Sequence, residues 1–172
     1  MSRCHHLSIV LAFLLSFAAA APAQAQDVRL LAGVAAEGGG FVDRSDGLMG
    51  GVGVHFGIHI FGFELFGLSQ GFIGSIMGGP NSGSVEGVLW HSGMLGFGVG
   101  PFHLAVGPSL DFAWGCRDQN AGARCYNGDA LFGLDGRAAL VFGSFSVSVD
   151  VHPTFYGSST VTGIVLGLGW EY

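Results

Sequence analysis

The segment 160–172, TVTGIVLGLGWEY, narrows the possible folds more than any other part of the chain, because its hydropathy alternates with period two to the last residue. Thr162, Ile164, Leu166, Leu168, Trp170 and Tyr172 fall on one face; Gly163, Val165, Gly167, Gly169 and Glu171 fall on the other. Successive side chains of a strand point to opposite sides of a sheet, whereas a helix would scatter these residues around its circumference. The segment therefore reads as a strand with an apolar row on one side and mainly small residues on the other.

Seven further segments are strand-like: residues 27–37, 48–56, 58–69, 85–98, 102–114, 130–142 and 144–156. In the last of these Phe145, Val147, Val149, Val151, Pro153 and Phe155 oppose Ser146, Ser148, Asp150, His152 and Thr154. Segment 102–114 sets Phe102, Leu104, Val106, Leu110, Phe112 and Trp114 against His103, Ala105, Gly107, Ser109 and Asp111. The chain has 32 Gly, 15 Phe, no Lys and only 10% charged residues. Each interior Gly costs a helix roughly 1 kcal/mol relative to Ala, while Phe and Val interleaved with Gly suit a pleated surface. A net charge of −6 leaves no basic footprint for nucleic acid.

The connections alternate in length. Those around Gly57, 99–101 and Gly143 are tight, while 38–47, 70–84 and 115–129 are longer and rich in Gly, Asp, Asn and Ser; the short one near 157–159 is the exception. Short turns on one side and longer loops on the other, with apolar-out and polar-in alternation, describe a wall between lipid and a lumen. In hydrocarbon an unpaired backbone N–H or C=O costs several kcal/mol, so such a sheet must close on itself. The expected fold is all-β: a closed up-and-down antiparallel transmembrane β-barrel of eight strands. At that strand number side chains fill the interior, and no open pore of consequence is expected.

At the amino end, Arg3, His5 and His6 precede an apolar run over 7–21, and Ala23-Gln24-Ala25 fits a signal-peptidase site. The run is about 15 residues, short of the roughly 20 a spanning helix needs. Residues 1–25 are expected to be a cleaved secretory signal peptide and 26–172 the barrel domain.

With its alternation and terminal aromatic strand, the chain resembles the small eight-stranded bacterial outer-membrane proteins of the OmpA membrane-domain and OmpX type, a porin-like outer-membrane family, over essentially its whole mature length. The resemblance implies export through the periplasm to the outer membrane of a Gram-negative bacterium. It also implies contact with outer-membrane lipid and lipopolysaccharide, a monomeric state, and a terminal signal for the barrel-assembly machinery, carried here by Gly167, Trp170 and Tyr172. Val165 stands where the family more often has a polar residue, and Tyr172 replaces the commoner Phe.

The strand phases assign Arg29, His55, Glu64, Glu86, His103, Asp111, Asp135, Arg137, Asp150, His152 and Glu171 to the lumen. Buried charge must be paired or it costs several kcal/mol per ion, so Arg137 is expected among Asp111, Asp135, Asp150 or Glu64, within a structural polar network. The same residues are material for a binding or proton-relay site, without a diagnostic spacing. Cys116 and Cys125, both in the third long connection, are expected to form a disulfide in an oxidising compartment. No His lies in that segment and two thiolates are too few ligands for a metal. Trp114 and Tyr126 flank it as material for an outer aromatic girdle, with Trp170 and Tyr172 at the other rim.

Catalytic motifs are lacking: there is no G-x-S-x-G, P-loop, G-x-G-x-x-G or H-E-x-x-H. The enzyme alternative is an outer-membrane lipid A-modifying hydrolase of the deacylase type, which uses a His and a Ser two residues apart on one strand face. Here the residues two after His55, His59, His91, His103 and His152 are Gly57, Phe61, Gly93, Ala105 and Thr154. His91 and Ser92 are adjacent and point to opposite faces. Asp150, His152 and Thr154 share a face but match lumen polarity. A third alternative, a secreted lipocalin-like binder of apolar ligands, would turn the Phe and Leu rows inward and leave a Gly and Ser exterior with few charges. The sequence thus points to a non-enzymatic outer-membrane barrel with a plugged polar lumen, outer loops for structural, adhesion or binding roles, and no cofactor, metal or catalytic residue.

Overall fold

A computed structural model describes residues 28–42, 47–76, 85–119, 122–128 and 130–172. The expected signal peptide lies outside the described residues. The strands are β1 (Val28–Phe41), β2 (Gly47–Ile60), β3 (Phe63–Ile76), β4 (Val85–Val99), β5 (Phe102–Gln119), β6 (Gly122–Asn127), β7 (Leu131–Phe142), β8 (Phe145–Tyr156) and β9 (Ser159–Glu171). All pairings are antiparallel, and the order β4-β3-β2-β1-β9-β8-β7-β5 is closed by β4 pairing with β5. The result is an eight-stranded up-and-down barrel, as the alternation predicts. β6 is an addition: it pairs with β5 alone, so the connection expected over 115–129 includes a two-stranded ribbon.

Closure is made by the first and last strands. β1 and β9 run in register from Gly33↔Glu171 to Phe41↔Gly163. One residue further, Ala32 and Tyr172 exchange backbone hydrogen bonds of 3.1 and 2.8 Å. Pairing thus reaches the terminal residue and leaves no open sheet edge between these two strands.

The β2–β3 turn corrects the sequence reading. Gly57 was the expected turn; instead β2 continues through it and the chain reverses at Phe61 and Gly62, with φ of 51° and 89°. Positive φ at both central residues is the type I′ geometry, whose twist matches that of the flanking strands. Glycine has no steric penalty there, but Phe61 does. Its large side chain conceals the turn from composition, whereas Gly57 offers a false signal.

Exposure follows the period-two expectation. In β7, Phe132 and Leu134 face outward while Gly133, Asp135, Arg137 and Ala139 are buried; β8 and β9 continue the pattern. Leu104, Val106, Leu110, Leu166, Leu168 and Trp170 are among many large apolar side chains left uncovered on the outside. An inward-facing apolar row, which a lipocalin-like barrel requires, is therefore absent from β5, β7, β8 and β9.

The interior is not uniformly polar, however. β3 and β4 send Phe66, Leu68, Phe72, Trp90 and Met94 inward, in two apolar clusters. One joins Leu31, Phe66, Leu68 and Met94, and the other Met49, Phe72, Trp90 and Val165. The β5, β7 and β8 wall faces them with Ser109, Asp111, Asp135, Arg137, Ser146, Ser148, Asp150, His152 and Thr154, all buried.

Candidate functional site

Three connected groups of polar side chains occupy the interior. The first is built on Arg137 of β7. Its Nη1 donates to both carboxylate oxygens of Asp150, at 3.3 and 3.2 Å, and lies 3.8 Å from Oε1 of Glu37. Gln70 Nε2 donates to both oxygens of Glu37 at 3.1 Å, and Ser148 Oγ donates to Asp150 at 3.4 Å. Two carboxylates thus share one guanidinium, and neutral donors supply their other contacts. Arg137 pairs with Asp150, as expected; its second partner is Glu37, which the sequence reading omitted because it ended the first strand there. β1 runs on through Gly38, Gly39 and Gly40, which keeps Glu37 in phase with inward Leu31 and Ala35.

The second group surrounds His152. Asp111 receives His152 Nε2 at 3.0 Å on both oxygens, Ser109 Oγ at 2.8 Å, and the Thr154 hydroxyl. The imidazole is stacked on Trp90 of β4, with centroids 3.9 Å apart and planes 3° from parallel. Gly163 of β9 makes this possible, because a Cβ there would lie 2.7 Å from the Trp90 ring. Asp135 accepts from Ser92 Oγ at 2.9 Å, and its Oδ2 stands 3.7 Å from His152 Nδ1.

The third group lies toward the short-turn end of the barrel. The Gly62 backbone N–H donates to His59 Nε2 at 3.3 Å, so the ring carries its proton on Nδ1, which faces Glu64 Oε1 at 3.2 Å. His103 Nδ1 meets the same oxygen at 2.6 Å. A cavity of about 20 Å³, room for roughly one water, is lined by His55, Glu64, His103, Arg137 and Glu171 among others. His59 was missing from the expected set because a turn at Gly57 would have displaced it from β2; with the turn at Phe61, it stands directly opposite Glu64. Arg29 is exposed at the start of β1, outside the buried groups, because the strand begins only one residue earlier. Glu86 lies in β4, level with Gly115 of β5.

The chemistry open to these groups is limited. Ser109, His152 and Asp111 are the residue types of a hydrolytic triad, and Ser109 Oγ lies 3.2 Å from His152 Nε2. That same nitrogen faces both oxygens of Asp111 at 3.0 Å, however, and Ser109 Oγ donates to Asp111 at 2.8 Å. No ring nitrogen is therefore left to take the serine proton from one side and be held by the carboxylate on the other. All three are buried, so no substrate carbonyl reaches Ser109. Among the described residues, no group of three or more His, Cys, Asp or Glu is arranged to hold a metal ion. Cys116 and Cys125 stand directly opposite one another across β5 and β6. Trp170 and Tyr172 are exposed on the outside at the short-turn rim, and Gly167 faces inward beside Ser148.

No protein-family model matches the sequence, and no curated protein matches it either. Solved structures do match its fold. The N-terminal β-barrel domain of Pseudomonas aeruginosa OprF aligns with a TM-score of 0.61 at 10% identity, covering 85% of this chain and 100% of that one. Neisserial surface protein A gives 0.53 at 12% identity, with 85% and 98% covered. Ail, the attachment invasion locus protein of Yersinia pestis, gives 0.55 at 12% identity, with 84% and 97% covered. These are outer-membrane barrels of eight strands, and at such identities the likeness is one of fold.

Proposed function

We propose that the protein is a non-enzymatic, monomeric integral protein of a Gram-negative outer membrane, exported with residues 1–25 as its signal peptide. In this reading the interior is a structural plug and the outer loops carry whatever contacts the protein makes. The observation that carries it is the pairing of a closed sheet whose outer face is apolar with an interior whose carboxylates are held by Arg137, His152, His59 and His103. Such a body is soluble in lipid and leaves little free volume for conduction or catalysis. The short turns and the Ala32–Tyr172 end of the β1–β9 seam lie at the same rim, which with the terminal strand as the assembly signal is the periplasmic one.

The β5–β6 ribbon favours a binding or adhesion role for the opposite end. It continues past the last β4–β5 pair, Val85↔Cys116, and opposes Arg117 to Arg124. A disulfide between Cys116 and Cys125 would lock its first rungs, since directly opposed strand residues have Cα separations of roughly 4.5–5.5 Å, within the span a disulfide bridges. One fold neighbour, Ail, has been solved in complex with the heparin analogue sucrose octasulfate, a precedent for ligand binding by a barrel of this architecture.

Fractionation and heat-modifiable migration test the core of the proposal. The unboiled protein should be recovered from outer membranes with detergent and should migrate faster than the boiled form. Recovery from buffer without detergent would overturn the membrane assignment, and stable conductance steps in planar bilayers would overturn the plug.

A further inference from the structure

Among the described residues, two buried polar atoms without a hydrogen-bond partner belong to one pair. They are Nδ1 of His152 on β8 and Oδ1 of Asp135 on β7, both on fully buried side chains. Asp135 Oδ2 stands 3.7 Å from that same Nδ1, and the carboxylate receives a single side-chain donor, Ser92 Oγ at 2.9 Å. Arg137, two residues along β7, holds Asp150 and Glu37 instead. Glu37, Asp111, Asp135 and Asp150 therefore have one guanidinium and one imidazole between them.

The other edge of the ring fixes where one proton sits. Both oxygens of Asp111 lie 3.0 Å from His152 Nε2, and they also accept from the Ser109 and Thr154 hydroxyls. A carboxylate that accepts from two hydroxyls is ionised, so Nε2 carries a hydrogen and donates to it. If Nδ1 were bare, its lone pair would face the Asp135 carboxylate with no donor between them. The interior penalises such an unpaired charge heavily. A proton on Nδ1 removes the conflict, because the ring becomes a cation with a carboxylate at either edge.

The face of the ring agrees with that charge. Trp90 lies on it with planes 3° from parallel and centroids 3.9 Å apart, and an indole face attracts a cation. The other elements around the ring bring no competing charge among the described side chains. β4 adds Ser92, β9 adds Gly163 beside the indole, and β3 adds Phe72 against Trp90. On β8 itself Thr154 bonds Asp111 and Asp150 is held by Arg137; Glu37 of β1 is held by Arg137 and Gln70.

We propose that His152 is an imidazolium clasped between Asp111 and Asp135 under Trp90, and that its proton operates a pH-sensitive clasp at the loop end of the barrel. Thr154 is two residues from the end of β8, and Asp111 is five residues before Cys116, on the last rung that β4 and β5 share. With the proton in place, β4, β5, β7 and β8 are tied together across the lumen. Without it Asp135 loses its cation and this end loosens, while Arg137 still holds the middle of the plug. The folded barrel then binds one proton more than the unfolded chain above the titration of a free histidine at ~6.5. Stability from the clasp is complete below that pH and is lost as pH rises.

The mature chain is refolded in detergent, with folding confirmed by heat-modifiable migration, and its histidine ring nitrogens are isotope-labelled for NMR. His152 is assigned through its contact with the Trp90 indole. At neutral pH both of its ring nitrogens should carry protons. Unfolding by urea is then followed across the alkaline range in wild type and in Asp135→Asn, whose amide donates to a bare Nδ1 while its oxygen still accepts from Ser92. The unfolding constant of wild type should rise about tenfold more per pH unit than that of the variant, the effect of one proton; other titrating groups act on both proteins and cancel. A bare Nδ1 in folded wild type at neutral pH would overturn the clasp, and so would equal pH slopes. The NMR arm uses the unaltered protein, so it decides the matter even if Asp135→Asn does not fold. Both readouts concern the barrel interior and are independent of the membrane assignment.

Discussion

The indole of Trp90 lies flat on the imidazole of His152, 3.9 Å between centroids, and so joins the apolar β3–β4 wall to the polar β5–β8 wall. Both rings are buried, and His152 reaches Asp111 at 3.0 Å along its edge. One contact therefore serves both packing and the orientation of the buried histidine.

Trp90→Ala should remove that contact and leave a cavity, at a cost of about 3–5 kcal/mol. Trp90→Phe should cost less because a ring still covers His152. Urea unfolding of the refolded barrel in detergent measures both, and an alanine variant as stable as wild type would show that the stack is incidental.

Arg137→Met should destabilise by roughly 3–5 kcal/mol, since Asp150 and Glu37 lose their shared cation inside the barrel. Adding Asp150→Asn to Arg137→Met should recover part of the loss, with a coupling of roughly 0.5–3 kcal/mol in a double-mutant cycle. Strictly additive effects would mean that the pair is not coupled.

Gly163→Val and Gly136→Val form a matched test of inside against outside. A Cβ at Gly163 meets Trp90 at 2.7 Å, whereas at Gly136 the nearest atom is Val151 O at 3.8 Å, an ordinary contact. The first should cost about 1–3 kcal/mol through overpacking; the second should be neutral or stabilising, because β-branched residues suit strands. Equal effects would contradict the packing around Trp90.

Deleting Tyr172 should weaken the seam, because Ala32 loses both of its backbone partners there. Tyr172→Phe keeps the backbone and the ring and should assemble normally. The folded fraction, read from heat-modifiable migration of outer membranes, distinguishes the two; equal yields would assign no role to the last pair.

The eight-stranded barrel was legible because β5, β8 and β9 alternate cleanly, and the row opposite the apolar one is too rich in Gly and Ser, and too poor in charge, to be a face turned to water. β3 was harder: Phe63, Leu65 and Ile73 on one face and Phe66, Leu68 and Phe72 on the other are both apolar, so period two cannot tell inside from outside. That is why the sequence suggested a polar lumen where half of it is apolar. Glu37 and His59 were missed through strand ends placed by glycine content, a signal that fails when glycines sit in mid-strand for close packing. The Trp90–His152 stack joins strands that are not neighbours in the sheet and leaves no trace in local spacing.

The divided interior also bears on how the barrel finds its inside. A one-residue slip of β3 against its neighbours would exchange Phe66, Leu68 and Phe72 for Phe63, Leu65 and Ile73 at little cost, so in that strand only Glu64 and Gln70 penalise a wrong alignment. The same slip in β8 would push Ser148, Asp150 and His152 into the surrounding medium and draw Val149 and Val151 in. The buried polar side chains therefore act as the key of the sheet: densely set on β8 and sparse on β3, they decide which face of each stave turns inward, and the apolar side chains between them follow.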